Sequence, residues 1–272
     1  MEQARVIQLG VLSGAGREPM LERTVAELEE RGGAAAASSR VVYYSAPNDA
    51  PSPSLPDGWQ LVRRHGPNGG GADFRWMIGE LTADSDALLF EDDVQPVRNA
   101  IPAMLKHHVR EGWGAISFYD AGDTIGHLYA GTRTGVHVVP ASGPNDLGFH
   151  GAQALRLPAW LIYEIQRGDH DPPHRGQDVW IGQLLHRKGL KIAVTCPSLV
   201  QHVGDDSMCT PGATLAGARA PSANFPGEDF DALGVYPETI TPGPWTPRAR
   251  ITWCEFHGID HEGATGCPRI VR

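Results

Sequence analysis

Apolar residues along the first two thirds of the chain follow two periods, and this pattern predicts alternating strands and helices. The opening segment RVIQLGVLSG is mostly apolar and runs into SGAG at residues 13–16, which is typical of a buried strand ending in a glycine turn. Leu21, Val25 and Leu28 then keep helical spacing, and the pair Gly32-Gly33 predicts the end of that helix. The same reasoning predicts strands over residues 40–45, 87–90, 115–119, 136–139 and 190–195, and helices over residues 73–81 and 101–108, from near Pro158 and from Asp178.

The order of these elements predicts the fold class. Strands that alternate with helices imply an α/β, Rossmann-like domain in which helices flank a mainly parallel sheet. From about Asp205 onward the pattern gives way to Pro, Gly, Ser and Ala residues, which predicts loops. We therefore expect an α/β domain over residues 1–205 and a loop-rich C-terminal extension over residues 206–272.

Composition and charge narrow the class of protein. No stretch of the 272 residues approaches the roughly 18–20 continuous apolar residues of a membrane span, and the first residues lack the basic region of a signal peptide. We therefore expect a cytoplasmic protein with no membrane span. The formal charge of −9 argues against a general basic surface for nucleic acid, and local basic runs occur only at residues 63–65 and 186–188.

The sequence LLFEDDV carries the strongest chemical signal. It places Glu91, Asp92 and Asp93 directly after an apolar strand, and open α/β sheets bind ligands at the carboxyl ends of their strands. Three adjacent carboxylates repel one another unless a cation or hydrogen-bond donors compensate, and hard oxygen ligands suit Mg²⁺ or Mn²⁺. The alternative is a solvated acidic turn, so the motif predicts a divalent-cation site without proving one.

Two further signals are weaker when each is taken alone. The segment CPSLVQHVG puts His202 just after a short strand, where a histidine is more often a structural hydrogen-bonding residue than a ligand. The segment RGQDVWIGQLL puts Asp178 at the start of an amphipathic helix, where aspartate is a favoured N-cap.

The order of these motifs resembles the GT-A class of nucleotide-sugar glycosyltransferases over roughly residues 5–205. A strand ending in Glu-Asp-Asp is followed by a glycine-containing segment at residues 148–151, a Gln-Asp helix start and a strand followed by histidine. The resemblance implies that Asp93 and His202 bind Mn²⁺ or Mg²⁺ on the donor diphosphate and that Asp178 is the base for the acceptor hydroxyl. It implies further donor-side contacts at Leu12, Ser13, Gly14, Asp73, Arg75, Glu91, Asp92 and Gly151.

One departure from the family pattern bears on stereochemistry. The acidic motif is Glu-Asp-Asp rather than Asp-any-Asp, a variant that inverting members commonly show. The resemblance therefore favours transfer with inversion, which needs one base rather than the carboxylate pair of glycoside hydrolysis.

The C-terminal tail carries a separate group of candidate metal ligands. Cys254, His257, His261 and Cys267 lie within fourteen residues, and four soft or borderline ligands suit a structural, tetrahedral zinc site. The spacing is compact and differs from that of paired zinc fingers. Reduced cysteines beside surface histidines in a Gly-rich tail are the alternative.

These observations predict an enzyme, a hexosyltransferase-like, metal-dependent glycosyltransferase. The donor would be a nucleotide-sugar, with UDP-sugars favoured, and the acceptor hydroxyl could belong to a glycan, a protein, a small molecule or a modified DNA base. One alternative is a DNA-modifying glycosyltransferase that acts on a hydroxylated base. Others are a zinc-containing nucleic-acid-binding protein and a metal-dependent phosphohydrolase, although a hydrolase would be expected to bring more carboxylates and histidines together.

Overall fold

A sheet of nine strands forms the centre of the molecule in the computed structural model, which describes residues 7–66, 70–120, 135–141, 151–168, 177–204, 222, 224–234 and 239–240. The strands are β1 (Ile7–Gly14), β2 (Ser39–Ala46), β3 (Gln60–His65), β4 (Asp86–Glu91), β5 (Val94–Pro96), β6 (Trp113–Ser117), β7 (Gly135–Pro140), β8 (Ala154–Leu157), β9 (Lys191–Cys196), β10 (Val200–His202) and β11 (Thr239–Ile240). The helices are α1 (Glu18–Glu27), α2 (Gly70–Glu80), α3 (Ala100–Leu105), α4 (Ala159–Arg167) and α5 (Gln177–Arg187).

The direction of the strands confirms the predicted fold class. The large sheet has the order β11-β7-β9-β6-β8-β4-β1-β2-β3, while β5 and β10 form a separate antiparallel pair. Among the described residues, five of the eight pairings in the large sheet are parallel, and β8 lies antiparallel between β4 and β6. The protein is therefore α/β with a mainly parallel, mixed sheet.

Two apolar layers hold the helices against the sheet. Leu9 and Val11 of β1 face one layer, together with the buried side chains of α1 and α3, while Leu12 faces the other layer with those of α2, α4 and α5. Because side chains alternate along a strand, one strand contributes to both layers. Burying each of these large side chains contributes about 1.5–3 kcal/mol.

The first helix follows the predicted pattern closely. It begins after a glycine turn in which Gly16 has a φ of +83°, and Pro19 lies in its first turn. Leu21 and Val25 are fully buried. The helix continues as one π-helical turn and ends at Gly33, whose φ of +77° few other residues adopt readily.

The structure also contains elements that the hydrophobic pattern did not indicate. Strand β3 lies at the edge of the sheet and is half-exposed. Its sequence, QLVRRH, therefore contains polar residues and lacks the apolar run that predicts a buried strand. Strand β8 has a fully buried arginine, Arg156, that pairs with Asp86. The predicted helix over residues 101–108 ends at Leu105, because Arg156 binds the carbonyl oxygens that end it.

Part of the C-terminal extension contacts the α/β domain. Ala232 is buried, and its N–H donates to the carbonyl of Arg98. Strand β11 adds to the sheet beside β7. The candidate zinc ligands at residues 254–267 lie outside the described residues. Within the described parts of the chain, every helix is too short or too polar to cross a membrane.

Candidate metal centre

The acidic motif lies where the order of the strands reverses. Strands β3, β2, β1 and β4 are adjacent and parallel, and this 3-2-1-4 order also occurs in doubly wound α/β sheets. Such sheets bind ligands at the carboxyl ends of the two strands between which the order reverses, here β1 and β4. Leu12 and Glu91 pair across these strand ends, and Asp92 and Asp93 form the following turn.

The small β5–β10 sheet brings His202 to this turn. His202 pairs with Val94, and the N–H of Val203 donates to the carbonyl oxygen of Asp93 over 2.8 Å. His202 Nε2 therefore lies 3.1 Å from Asp93 Oδ2. The two residues for which the sequence predicts metal binding thus lie side by side.

Glu91, Asp93 and His202 could together hold a metal ion. One potential ligand atom from each lies within 4.8 Å of the others. Asp93 Oδ1 and His202 Nδ1 are buried and have no hydrogen-bond partner among the described residues. Buried polar atoms are almost always satisfied, and a cation held by carboxylate and imidazole ligands would satisfy the Asp93 oxygen. The residues present therefore fit a divalent cation.

The electrostatics of the group also favour a bound cation. Burial raises the pKa of Glu91 to about 8, and the negative charges of Asp93 and Asp178 act in the same direction. Burial opposes the charged forms of Asp93 and His202 as well, but their mutual hydrogen bond lowers the pKa of Asp93 and raises that of His202. The ionised form of Glu91 is therefore disfavoured by the protein alone, and a bound cation would stabilise it.

Asp92 has a different environment from its neighbour. Its oxygens accept hydrogen bonds from Ser13 Oγ, at 2.6 Å, and from Nε and Nη2 of Arg17, at 2.7–2.9 Å. Burial nevertheless raises the pKa of Asp92 despite the Arg17 guanidinium. The predicted donor contacts Ser13 and Asp92 therefore bind each other beside the metal group.

The start of α5 also contacts Glu91. Gln177 Nε2 donates to Glu91 Oε1, and Asp178 lies half-buried in the same first turn of the helix. The charge of Asp178 reaches Glu91, since it contributes to the raised pKa of that carboxyl. The predicted base is thus near Glu91, which belongs to the candidate metal-binding group.

The other predicted donor-side residues lie at different places. Asp73 is buried at the start of α2, where its Oδ1 accepts from Ser45 Oγ at 2.9 Å. Gly14 ends β1, and the carbonyl oxygen of Gly151 accepts from a side chain at the end of β6. Arg75 is turned toward the end of α4, where its Nη2 lies 3.4 Å from the carbonyl oxygen of Gly168.

The sequence reasoning did not single out four residues of this region. Arg17 follows the glycine turn after β1, Gln177 precedes Asp178, and Gly204 lies against Asp93. Tyr119 has a buried hydroxyl with no hydrogen-bond partner among the described residues. Burial is the main reason that its pKa is raised, and the negative charge of Glu91 adds to the effect. The sequence feature that could have indicated Arg17 is its position directly after the glycine turn of β1, in a chain whose β4 ends in three acids.

Two comparisons with known proteins found no match for this chain. No model of a known protein family matches it. No curated protein matches it either. The fold and the side chains between β1 and β4 are therefore the grounds on which a function can be assigned.

Proposed function

We propose that the protein is a divalent-cation-dependent glycosyltransferase of the GT-A type. It would transfer a sugar from a nucleotide-sugar, with a UDP-sugar as the favoured donor, to an acceptor hydroxyl with inversion. The observation that carries the proposal is the buried group of Glu91, Asp93 and His202 at the strand reversal of an α/β sheet. Manganese or magnesium is the expected ion, because carboxylate oxygens dominate the group.

Residues of the chain would bind the cation and the nucleotide that this reaction needs. Glu91, Asp93 and His202 would hold the cation, which when bound would stabilise the negative charge on the leaving diphosphate as a Lewis acid. Ser13 and Gly14, at the carboxyl end of β1, and Asp73, at the start of α2, are on the side where the nucleotide would lie.

Asp178 is proposed as the general base. The acceptor hydroxyl attacks the anomeric carbon, the bond between that carbon and the phosphate oxygen breaks, and the hydroxyl proton passes to the base. Asp178 lies in the first turn of α5, where the helix dipole favours a negative charge. It directly follows Gln177, whose side chain donates to Glu91 of the proposed metal site, and it is half-buried.

Asp93→Asn tests the metal site directly. It replaces the charged oxygen by a neutral one of similar size, so Mn²⁺-dependent binding of UDP should weaken at least about ten-fold. Isothermal titration calorimetry with UDP, in Mn²⁺ and in EDTA, measures this change. Asp84→Asn removes an exposed carboxylate and should leave binding unchanged.

A second arm separates transfer from hydrolysis. Wild-type protein is incubated with Mn²⁺ and a set of UDP-sugars, with and without candidate acceptor hydroxyls, and released UDP and sugar are quantified. Acceptor-dependent release of UDP with formation of a glycoside supports the proposal. Equal release without an acceptor identifies a hydrolase, and identical UDP affinity in Mn²⁺ and EDTA contradicts the metal site.

A further inference from the structure

Arg17 occupies a constrained position beside the proposed metal group. It follows the glycine turn after β1 and is the residue that precedes the first turn of α1. Its backbone N–H donates to the carbonyl of Gly14 over 3.3 Å, and its carbonyl accepts from Leu21 over 2.9 Å. Its side chain is only 13% exposed. The backbone therefore fixes the direction from which the guanidinium enters the site.

Among the described residues, Asp92 accepts most of the hydrogen bonds that the guanidinium donates. Arg17 Nε lies 2.9 and 2.8 Å from the two Asp92 oxygens, and Nη2 lies 2.7 Å from Oδ1. Ser13 Oγ donates to Oδ2, and Thr24 Oγ1 donates to the Asp92 carbonyl over 2.7 Å. Because both carboxylate oxygens already accept two hydrogen bonds each, Asp92 is engaged in holding Arg17.

A single contact links Arg17 to Asp93. Nη2 lies 2.6 Å from Asp93 Oδ2, the oxygen that also faces His202 Nε2 at 3.1 Å. The backbone of Gly204 approaches the same oxygen so closely that a Cβ there would overlap it. Oδ2 is thus enclosed on several sides, whereas Oδ1 has no hydrogen-bond partner among the described residues.

We propose that Arg17 and Asp92 form a positioning pair that fixes the orientation of the Asp93 carboxylate and leaves its Oδ1 for the cation. The inference rests on the proposed function, because it assumes that Asp93 is a metal ligand. It assigns Asp92 a role in holding Arg17 rather than a ligand role of its own. Outer residues that orient metal ligands commonly change metal affinity by about 10–100-fold when they are substituted.

The competing explanation is that Arg17 only supplies positive charge to an acidic group. The two explanations predict opposite signs. If Arg17 supplies charge alone, Arg17→Gln should tighten binding of Mn²⁺, because a nearby cation repels the ion. Arg17→Lys should then change nothing, since the charge is kept. If Arg17 positions Asp93, both variants should weaken binding, because an ammonium group cannot reproduce the planar fork of the guanidinium.

The experiment measures the affinity of the full chain for Mn²⁺ alone. Free Mn²⁺ is quantified by electron paramagnetic resonance during titration of wild type, Arg17→Lys, Arg17→Gln and Asp92→Asn. We expect each variant to bind Mn²⁺ about 10–100-fold more weakly than wild type. Arg23→Gln, which removes an exposed arginine of the same helix, should bind like wild type.

Two further measurements separate positioning from misfolding. Circular dichroism and thermal unfolding in EDTA report whether each variant is folded in the absence of metal. Ser13→Ala removes one hydrogen bond to Asp92 without altering charge and should weaken Mn²⁺ binding by a smaller factor in the same direction. If the Arg17 variants do not fold, a Ser13→Ala protein with wild-type affinity overturns the inference.

The outcomes distinguish this inference from the proposed function. Unchanged or tighter Mn²⁺ binding by folded Arg17→Lys and Arg17→Gln, with normal binding by wild type, overturns the positioning role alone. Absence of Mn²⁺ binding by the wild type overturns the proposed function and this inference with it. Weaker binding by all three site variants, with Arg23→Gln unaffected, supports the positioning pair.

Discussion

Asp92 and Asp93 have the same side chain and adjacent places in the sequence, but their surroundings give them different electrostatics. Asp92 is enclosed by Arg17 and Ser13, yet burial still raises its pKa. Burial alone would raise the pKa of Asp93, but the hydrogen bonds and positive charges of His202 and Arg17 together lower it. One carboxylate is thus saturated with hydrogen bonds, and the other retains a buried oxygen without a partner among the described residues. Asp92 is therefore suited to hold its neighbours in place, whereas Asp93 has an oxygen that can bind a cation.

Gly204→Ala tests how tightly Asp93 is enclosed. A Cβ at this position would overlap the Asp93 carboxylate, so the side chain or the backbone must shift. We expect Mn²⁺ affinity to fall about ten-fold, the lower end of the range for residues that orient ligands. Calorimetric titration with Mn²⁺ measures the change. Gly79→Ala is the control, because nothing lies within 4 Å of a Cβ built there, and wild-type affinity in Gly204→Ala would show that the carboxylate has room to move.

His107 makes the stability of the fold depend on pH. Burial lowers its pKa to about 4, and the positive charges of Arg156, His108, Arg110 and Lys106 act in the same direction. In the unfolded chain a histidine titrates near 6.5, so the unfolded state binds the proton first as the pH falls. The contribution of this residue is therefore fully present above about pH 6.5 and is lost between about pH 6.5 and 4.

His107→Gln should flatten this part of the stability profile. The variant has no group that titrates there, so the free energy of unfolding should fall by roughly 3 kcal/mol less than in wild type between pH 7.5 and 4. Urea unfolding at a series of pH values measures both curves. The backbone carbonyl that accepts from Arg156 is kept in the variant. Parallel curves for the two proteins would assign the pH dependence to other groups.

The sequence indicated some of the site residues and not others for a physical reason. Glu91, Asp92 and Asp93 are recognisable because three acids directly follow an apolar strand, at the end where α/β sheets bind ligands. Arg17 and Gln177 are polar residues in ordinary positions near helix starts. Their roles come from the tertiary contacts with Asp92 and Glu91, which local periodicity does not encode.

At the scale of elements, the sequence predicts the strands and helices that have a clear hydrophobic pattern and misses those that lack one. Strands β1 and β4 are buried on both faces and show as apolar runs. Strand β3 lies at the sheet edge and is half-exposed, and the three-residue strands β5 and β10 are too short to show a period. The β5–β10 pairing places His202 beside Asp93, so the sequence could propose that contact only through the family resemblance.

A buried ion pair connects four elements of the fold. Arg156 of β8 binds Asp86 of β4 over 2.7 Å and also donates to the carbonyl oxygens of Met104 and Leu105 at the end of α3. Asp86 Oδ1 in turn accepts from the N–H of Ala159 at the start of α4. Because Arg156 is fully buried, loss of either partner leaves polar groups that water cannot reach.

Arg156→Met should therefore destabilise the protein strongly. Methionine keeps much of the buried volume but leaves Asp86 without its cation, and breaking such a pair costs about 3–5 kcal/mol. The midpoint of urea unfolding at pH 7 measures the loss. Arg187→Met, at an exposed position of α5, should change the free energy of unfolding by less than about 0.5 kcal/mol.

A double variant tests whether the uncompensated charge is the cause. Asp86→Asn in the Arg156→Met background removes the charge but keeps an oxygen that can accept from Ala159. We expect this second substitution to restore part of the lost stability, because it neutralises the orphaned carboxylate. Additive losses from the two substitutions would show instead that the carbonyl contacts of Arg156 carry most of its effect.

At the scale of the whole molecule, the sheet brings together groups that are far apart in the sequence. Four segments meet at the carboxyl ends of β1 and β4, where the strand order reverses. They are the glycine turn after β1, the acids after β4, the start of α5 and the β5–β10 pair. The alternation of strands and helices predicted the α/β class, and the fold explains why the acids and His202 are neighbours. The assignment to the GT-A class stays a prediction, as does the role of Asp178.

Asp178→Asn tests that role, because it keeps the size of the side chain and removes the proposed base. General-base assistance contributes about 10²–10⁴-fold, so turnover of the UDP-sugar with acceptor should fall by that factor. Affinity for Mn²⁺ and UDP should stay within about three-fold of wild type, since Asp178 is only half-buried and its charge is partly screened by solvent. Glu164→Gln, an exposed acid on α4, is the matched control for turnover. Nuclear magnetic resonance of the product should show the anomeric configuration inverted. Near-normal turnover in the variant, or a retained configuration, would leave Asp178 as a residue that only stabilises the start of its helix.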